Sequence, residues 1–288
     1  MRVLITGAGG MVGRSVTEHC RSCGDQVFPY DHRGLDISDA DLVEHEIASV
    51  KPDTVINCAA WTDVDGCERD PDRALAANAE GPENLARASR QAGAVFVTIS
   101  TDYVFDGEKE GFYTQRDDPN PQSIYGKAKL AGERRAQLAS ARTIVVRSGF
   151  IYGPGGRNFL STAAERLRRG EQVGAIADAW GTPTYSVHLA SQLRNLAQLD
   201  LPGTYHIVNS GEGSSYEEFV RLILQELGSD PSLAQSVLSN TLNRPAPRPR
   251  NSRLQCLFSE AIGLSPLPPW RAAVREFLNV SGTSGTAN

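Results

Sequence analysis

Short apolar runs alternate along the first half of the chain with longer stretches that mix apolar and charged residues. The short runs predict buried strands, at residues 3–5, 26–30, 54–60, 94–100 and 143–147. The longer stretches predict helices, at residues 11–23, 72–91 and 123–139. Strands and helices in this order are typical of an α/β protein whose mostly parallel sheet carries helices on both faces.

The alternation predicts a doubly wound parallel sheet of the Rossmann type, which binds ligands at the carboxyl ends of its strands. This dinucleotide-binding domain is expected to span residues 1–149, with residues 183–208 returning to the sheet. A smaller C-terminal substrate-binding lobe is expected to combine residues 150–182 and 209–280. Residues 281–288, rich in Gly, Ser and Thr, are predicted to form a flexible tail.

The first predicted strand runs directly into a glycine-rich turn. Gly7, Gly10 and Gly13 have the spacing Gly-x-x-Gly-x-x-Gly, and Met11 and Val12 lie between the last two. Such a turn lets the backbone approach a pyrophosphate closely, and the free N–H groups of the following helix attract the anion. Glycines also serve ordinary turns, but this position between a strand and a helix favours a dinucleotide site.

The second predicted strand ends at Asp31, about 20 residues beyond the glycines, where a carboxylate commonly binds the ribose hydroxyls of the cofactor. Arg33 follows two residues later and is suited to a 2′-phosphate instead. Asp31 favours NADH and Arg33 favours NADPH, so the choice of cofactor stays open. The further candidates for cofactor contacts are Asp36, Ile37, Cys58, Ala59, Ala60 and Asn78.

Tyr125 and Lys129 carry the strongest chemical signal, because residues four apart share one face of a helix. A positive charge near a phenol lowers its pKa, which makes the phenol a usable acid for a carbonyl that is being reduced. Thr101 closes the strand before this helix, so its hydroxyl is expected near the same place, where it can hydrogen-bond a carbonyl oxygen. These three residues are the predicted catalytic group.

Composition narrows the class of protein. The net charge of −5 provides no basic surface for nucleic acid. No apolar run is long enough for a membrane span and the first residues lack a signal-peptide pattern, which favours a cytoplasmic protein. The five cysteines are scattered without metal-ligand spacing, so reduced thiols and no metal site are expected.

Several longer motifs resemble the extended short-chain dehydrogenase/reductases and, within them, the dTDP-4-dehydrorhamnose reductases. The resemblance covers residues 1–278, and its most specific motif is Ser-Thr-Asp-Tyr-Val-Phe-Asp-Gly at residues 100–107. It implies that hydride passes from NADPH or NADH to the C4 ketone of a nucleotide-linked 4-keto-6-deoxysugar. Tyr125 would protonate the oxygen, Lys129 would hydrogen-bond the nicotinamide ribose, and Thr101 would orient the ketone.

The resemblance also implies a set of substrate contacts. They are Trp61, Val64, Asp65, Thr101, Asp102, Tyr103, Phe150, Asn158, Asp178, Thr184 and Arg248. Family members usually have Trp at the position of Phe150 and Gln at that of Ala179, so the sugar or the nucleotide is open. A homodimer is compatible with the family, as is a divalent ion at a subunit contact.

Two alternatives remain within the superfamily. An epimerase or dehydratase would keep its cofactor bound and recycle the hydride, without net consumption. The family also includes a non-catalytic partner of methionine adenosyltransferase, which would bind a nucleotide without turnover. Thr101, Tyr125 and Lys129 are all present in this chain, and this favours an enzyme.

Overall fold

The computed structural model describes residues 1–283 of the 288-residue chain. Within this range no helix combines the length and the apolar character needed to cross a bilayer. The predicted tail begins at residue 281, but the last helix continues to Thr283. Residues 284–288 of that tail lie outside the described residues.

Residues 1–283 form fourteen strands and ten α-helices, together with a few short 3-10 or π-helical segments. The strands are β1 (Arg2–Thr6), β2 (Gln26–Tyr30), β3 (Thr54–Asn57), β4 (Val95–Thr101), β5 (Thr143–Ser148), β6 (Ile151–Tyr152), β7 (Val173–Ile176), β8 (Trp180–Gly181), β9 (Thr184–Tyr185), β10 (Gly203–His206), β11 (Asn209–Ser210), β12 (Ser214–Ser215), β13 (Ala234–Val237) and β14 (Leu267–Pro269). The helices are α1 (Met11–Ser22), α2 (Ala40–Val50), α3 (Val64–Arg69), α4 (Pro71–Leu75), α5 (Gly81–Ala92), α6 (Ile124–Ala139), α7 (Phe159–Arg168), α8 (Ser186–Leu199), α9 (Tyr216–Leu227) and α10 (Trp270–Thr283).

The central sheet has six strands in the order β10-β5-β4-β3-β1-β2, and every neighbouring pair is parallel. This confirms the predicted α/β fold with a Rossmann-type parallel sheet. The strand order reverses between β1 and β3, so the loops that follow these two strands open a crevice at the carboxyl edge of the sheet.

Helices cover both faces of the sheet, as a parallel sheet requires. On one face α1 and α8 bury Val16, Cys20, Leu189 and Leu193 against β1, β4 and β5. On the other face α2, α5 and α6 contribute to a second core that surrounds Phe96. The sheet is therefore the middle layer of three.

A separate apolar core builds the smaller lobe from α7, α9, α10 and the β7–β13 pair, around Tyr152, Phe219 and Trp270. Strand β10 and helix α8, both within residues 183–208, pack with the sheet. Leu264 and Leu267 fall inside the range predicted for the lobe but pack into the core of the sheet. The segment after residue 254 therefore contributes to both parts of the molecule.

Several elements differ from the sequence-based prediction. The helix predicted at residues 72–91 consists of α4, a π-helical segment at Ala76–Glu80, and α5. Helix α2 was not predicted, although Asp39 caps it by accepting a hydrogen bond from Leu42 N–H. Strand β3 ends at Asn57, so residues 58–60 form a loop.

Candidate active site

The glycine turn after β1 has room for backbone only. Gly7 has φ of 65°, and a Cβ atom there would lie 2.6 Å from Ala59 N. A Cβ atom on Gly13 would lie 2.1 Å from Gly7 O. The residue preceding α1, Gly10, provides no side-chain cap, so the first N–H groups of this helix face the crevice without a side-chain acceptor. Such a turn fits a pyrophosphate.

A cleft of about 630 Å³ extends from this turn along the end of β2. Its wall includes the predicted cofactor residues Gly7, Gly10, Asp31, Arg33, Asp36, Ile37, Cys58, Ala59 and Ala60, together with His32 and Arg73. Asp31 Oδ1 accepts hydrogen bonds from the backbone N–H groups of Arg33 and Gly34, both at 3.0 Å. One carboxylate oxygen of Asp31 is thus used in its own turn, while the exposed Arg33 lies beside it.

Asn78, a predicted cofactor contact, hydrogen-bonds the loop after β3. Its side chain is fully buried and makes two 3.0 Å hydrogen bonds to the backbone of Trp61, one to the N–H and one to the carbonyl. Asn78 therefore holds the loop after β3 in place. The Asn78 side chain has no exposed surface in this arrangement, and its contact with the cofactor stays a prediction.

A second cleft, of about 460 Å³, lies between the carboxyl ends of β3, β4 and β5 and the lobe. It is lined by Gly10, Met11, Val12, Gly13, Cys58, Ala59, Ala60, Val64, Thr101, Asp102, Tyr103, Tyr125, Lys129, Phe150, Asn158 and Tyr216, among others. The hydroxyls of Ser100 and Ser148, which also line it, are buried and hydrogen-bond no other described residue. Buried hydroxyls without a partner are costly, so this cleft is suited to a polar ligand.

Tyr125 and Lys129 both lie in this cleft, 9% and 5% exposed, but their electrostatics differ from the prediction. Burial raises the pKa of Tyr125 above its usual range, a hydrogen bond with Thr101 lowers it in part, and Asp102 raises it further. Lys129 Nζ donates a 2.7 Å hydrogen bond to Ile99 O, and burial lowers its pKa to about 8. The expected lowering of the Tyr125 pKa by Lys129 is thus not found, because desolvation of the phenol is the largest effect and it outweighs the hydrogen bond with Thr101.

Thr101 reaches the cleft from the end of β4, where its hydroxyl donates to Asp102 Oδ1 at 3.0 Å. The Thr101 oxygen also accepts from Tyr103 N–H at 3.1 Å. The other Asp102 oxygen accepts from the Ser252 hydroxyl at 2.5 Å. Burial raises the pKa of Asp102 to about 6, and the two hydroxyl donors partly offset this effect. Asp102 therefore joins the end of β4 to the C-terminal segment.

Aromatic side chains form the wall of the cleft on the lobe side. Phe150 has φ of 46°, which is uncommon outside glycine, and its ring packs 4.4 Å from that of Tyr216. The Tyr103 and Tyr125 rings meet edge to face at 6.0 Å. Burial raises the pKa of Tyr103 to about 12 and opposes its ionisation. Both Tyr103 and Tyr216 therefore present neutral hydroxyls as donors.

A basic loop extends the site toward the outside of the lobe. Here Tyr103, Phe150, Tyr216, Arg244, Arg248 and Arg250 line a third cavity, of about 190 Å³. Arg248 donates to both oxygens of Asp65, at 2.9 and 2.8 Å, and Arg248 holds the pKa of Asp65 down at about 2. This ion pair connects α3 to the loop and keeps the loop over the cleft.

Three predicted substrate contacts have structural roles. Thr184 is fully buried and donates to the Thr182 carbonyl, and its contact with a substrate stays a prediction. Asp178 accepts from the Ser239 N–H and hydroxyl, at 2.7 and 2.9 Å, behind the wall of the third cavity. Asn158 caps α7 by accepting from Ser161 N–H, although it also lines the second cleft.

Comparison with known proteins supplies the family. The family model described as the RmlD substrate binding domain matches residues 1–282. The chain belongs to this family. A dTDP-4-dehydrorhamnose reductase of Streptomyces griseus is 38% identical over 291 residues, covering 99% of the chain and 95% of that protein. The resemblance drawn from the motifs is therefore confirmed.

Solved structures agree with this assignment. A dTDP-4-dehydrorhamnose reductase of Clostridium acetobutylicum has a TM-score of 0.93 at 35% identity, with 98% of this chain and 100% of that chain covered. The enzyme of the same name from Bacillus anthracis, solved in complex with NADP, has a TM-score of 0.92 at 33% identity, with 97% and 99% covered. Both are similar to the chain over its sheet and its lobe.

Several residues of the clefts were not predicted. Tyr216, the first residue of α9, carried no signal beyond the helix start that Glu217 and Glu218 mark. Arg244 and Arg250 lie in the same basic, proline-rich loop as Arg248, whose composition suits a diphosphate, but only Arg248 was predicted as a contact. Arg73 packs its guanidinium 4.5 Å from the Trp61 ring, a contact between distant elements that no local pattern reveals.

Proposed function

We propose that this chain reduces the C4 ketone of a dTDP-linked 4-keto-6-deoxysugar with NADPH or NADH, as an enzyme of the dTDP-4-dehydrorhamnose reductase type. The observation that carries the proposal is the single cleft that contains Thr101, Tyr125, Lys129 and the start of α1. A phenol, an ammonium group and a hydroxyl beside a pyrophosphate-binding turn suit carbonyl reduction. The names of the two reductases with TM-scores of 0.93 and 0.92 support it further.

The bound nicotinamide would supply a hydride to the ketone carbon. Tyr125 would donate its phenolic proton to the ketone oxygen, so that one hydride and one proton convert the ketone to a secondary alcohol. A buried phenol holds its proton strongly, so Tyr125 stays protonated at neutral pH and is ready to act as an acid. The charge on Lys129 would stabilise the phenolate that remains after transfer.

Thr101 would help to position the ketone. Its hydroxyl donates to Asp102 in this structure, so it would have to rotate toward the ketone oxygen to donate there. Since Tyr103 N–H continues to hold the Thr101 oxygen, the rotation changes only the direction of the proton. The ketone oxygen would then receive hydrogen bonds from both Tyr125 and Thr101.

The diphosphate of the substrate would lie in the third cavity, whose lining includes Arg244, Arg248, Arg250, Tyr103 and Tyr216. Guanidinium groups bind diphosphate oxygens in a bidentate manner. The sugar ring would lie against Phe150, whose apolar face suits the 6-methyl group. The Phe150 side chain carries no N–H donor, and this leaves the exact hexose open.

NADPH is the proposed preferred cofactor, because Asp31 uses an oxygen within its own turn while Arg33 is exposed at the cleft. A cytoplasmic location is also proposed, since all five cysteines are free thiols. A homodimer stays a prediction. In the described part of the chain no group of three His, Cys, Asp or Glu side chains is placed to hold a metal.

The test is oxidation of NADPH and NADH at 340 nm, with a dTDP-4-keto-6-deoxyhexose generated in the cuvette. We expect substrate-dependent oxidation and one reduced sugar formed per cofactor consumed. Conversion of the sugar without net oxidation would instead indicate an epimerase or a dehydratase. Cofactor binding without any conversion would favour the non-catalytic alternative.

A further inference from the structure

A buried carboxylate lies on the same helix face as Lys129. Glu133 follows Lys129 by four residues on α6, so the two side chains project from the same face of the helix. Their exposed fractions are 4% and 5%. No role was predicted for Glu133, and it does not line either of the two larger clefts.

Arg147, on β5, fixes the Glu133 carboxylate. Its Nε donates to Oε1 at 2.9 Å and to Oε2 at 3.2 Å, and its Nη2 donates to Oε2 at 2.6 Å. Arg147 is itself 7% exposed and lies 5.3 Å from the centre of the Phe105 ring. The carboxylate is therefore held in one orientation by groups from two elements.

The stability of the fold alone does not account for this pair. A buried ion pair loses most of its Coulomb attraction to the cost of dehydrating two charges, and well-packed apolar residues usually stabilise a core equally well. Three ionisable groups buried together behind one cleft therefore point to a function of the charge itself.

Lys129 is the group that this charge would serve. Tyr125 lies on the same helix, Cys58 faces Lys129 from the loop after β3, and Ile99 O on β4 accepts a hydrogen bond from Lys129 Nζ. Arg147, on β5, pairs with Glu133. Burial lowers the pKa of Lys129 to about 8, while Glu133 and Cys58 raise it. Without the Glu133 carboxylate the ammonium would lose the largest of the effects that oppose its desolvation.

We propose that Glu133, fixed by Arg147, is a positioning residue that keeps Lys129 protonated inside the closed site. The consequence for turnover rests on the proposed function, since it is there that the Lys129 charge stabilises the Tyr125 phenolate. The charge state of Lys129 itself does not depend on which sugar is reduced. The charge state of Lys129 and the rate of turnover can therefore be measured separately.

The first measurement uses the cofactor-free protein. The chain has only four lysines, Lys51, Lys109, Lys127 and Lys129, so trace labelling with acetic anhydride at a series of pH values can follow each amine by mass spectrometry. Lys129 lines the cleft, which gives a small reagent access. In Glu133→Gln the labelling midpoint of Lys129 should fall by roughly one pH unit or more, while the other three stay unchanged.

Glu133→Gln leaves Arg147 buried without a partner and could unfold the protein. The double variant Glu133→Gln/Arg147→Met removes both charges, and it should also lower the Lys129 midpoint. Glu133→Asp keeps a carboxylate and should restore much of the parent value. Glu83→Gln removes a carboxylate that pairs with Arg135 on the outside of α6, and it serves as the matched control.

The second measurement is the pH profile of turnover. Because the protonated form of Lys129 is the active one, activity falls as the pH rises through its pKa, and in the variants this fall should move to lower pH. A variant weakened only in its fold would lose activity by the same factor at every pH. An unchanged Lys129 midpoint in folded Glu133→Gln or in the double variant would overturn the proposal. Lack of ketoreductase activity in the parent would refute the proposed function alone.

Discussion

The ring of Phe150 occupies the space beside Gly181 so closely that a Cβ atom on Gly181 would lie 2.3 Å from Phe150 Cδ1. Phe150 follows β5 and Gly181 ends β8, so the contact joins the sheet to the lobe. The Tyr216 ring also packs against Phe150, with the ring centres 4.4 Å apart. A glycine at position 181 thus lets an aromatic ring stand at the wall of the cleft.

Gly181→Ala should displace the Phe150 ring and weaken sugar binding while leaving the cofactor clefts intact. Overpacking of this kind costs roughly 1–3 kcal/mol. We expect KM for the sugar nucleotide to rise about tenfold, with little change in Kd for NADPH. Gly174→Ala, in the exposed part of β7, is the control. Combining Gly181→Ala with Phe150→Ala should show strong non-additivity, and simple additivity would contradict the contact.

Tyr125→Phe removes the proposed proton donor without changing the shape of the site. Turnover should fall by ~10²-fold or more, because general acid catalysis contributes about that much. The Kd for NADPH, measured by fluorescence, should stay within about twofold, since the pyrophosphate turn is untouched. The matched control is Tyr205→Phe on the edge strand β10, which loses a hydroxyl that donates to Leu201 O. Near-normal turnover of Tyr125→Phe would remove this residue from the mechanism.

The convergence of the predicted catalytic residues could be expected from the sequence because it follows from topology. In a parallel sheet the carboxyl ends of β3 and β4 share one edge, so Thr101 and the loop after β3 had to lie together. Helix periodicity then placed Tyr125 and Lys129 on one face. These inferences need only the order of the elements and the spacing within them.

The environment of each side chain could not be predicted in the same way. Asn78 and Thr184 looked like ligand contacts, but tertiary packing buries both completely. The direction of the Tyr125 pKa shift was wrong because it depends on how much of the phenol is desolvated. Burial of this kind is set by distant segments, and a single sequence does not reveal it.

Arg33→Ala tests the cofactor preference. If the exposed guanidinium binds the 2′-phosphate, loss of this charge-assisted bond should raise KM for NADPH by roughly tenfold. The KM for NADH should stay nearly constant, because NADH has no phosphate at that position. Arg134→Ala, which removes an exposed arginine on α6, controls for the change in net charge. Equal effects on both cofactors would assign Arg33 to a different contact.

The pH dependence of stability tests the buried carboxyl of Asp102. Its pKa in the folded protein is about 6, above the ordinary value of 3.8, so the folded state favours the protonated form. This contribution to stability is fully present below pH 3.8 and is lost as the pH rises through 6. Asp102→Asn should remove it. As the pH rises from 4 to 7, the free energy of unfolding of Asp102→Asn should increase by about 2–3 kcal/mol relative to that of the parent. Urea unfolding of the cofactor-free proteins measures this difference.

A control of opposite sign lies four residues away. Hydrogen bonds, chiefly from the Tyr113 hydroxyl, lower the pKa of Asp106, so its carboxylate stabilises the fold above pH 3.8 and this contribution is lost as the pH falls. Asp106→Asn should therefore lose stability relative to the parent as the pH rises from acid to neutral, whereas Asp102→Asn gains. The same trend in both variants would mean that the difference comes from net charge. Opposite trends would show that the pH dependence at Asp102 comes from burial of its carboxyl at the end of β4, an environment unlike that of Asp106.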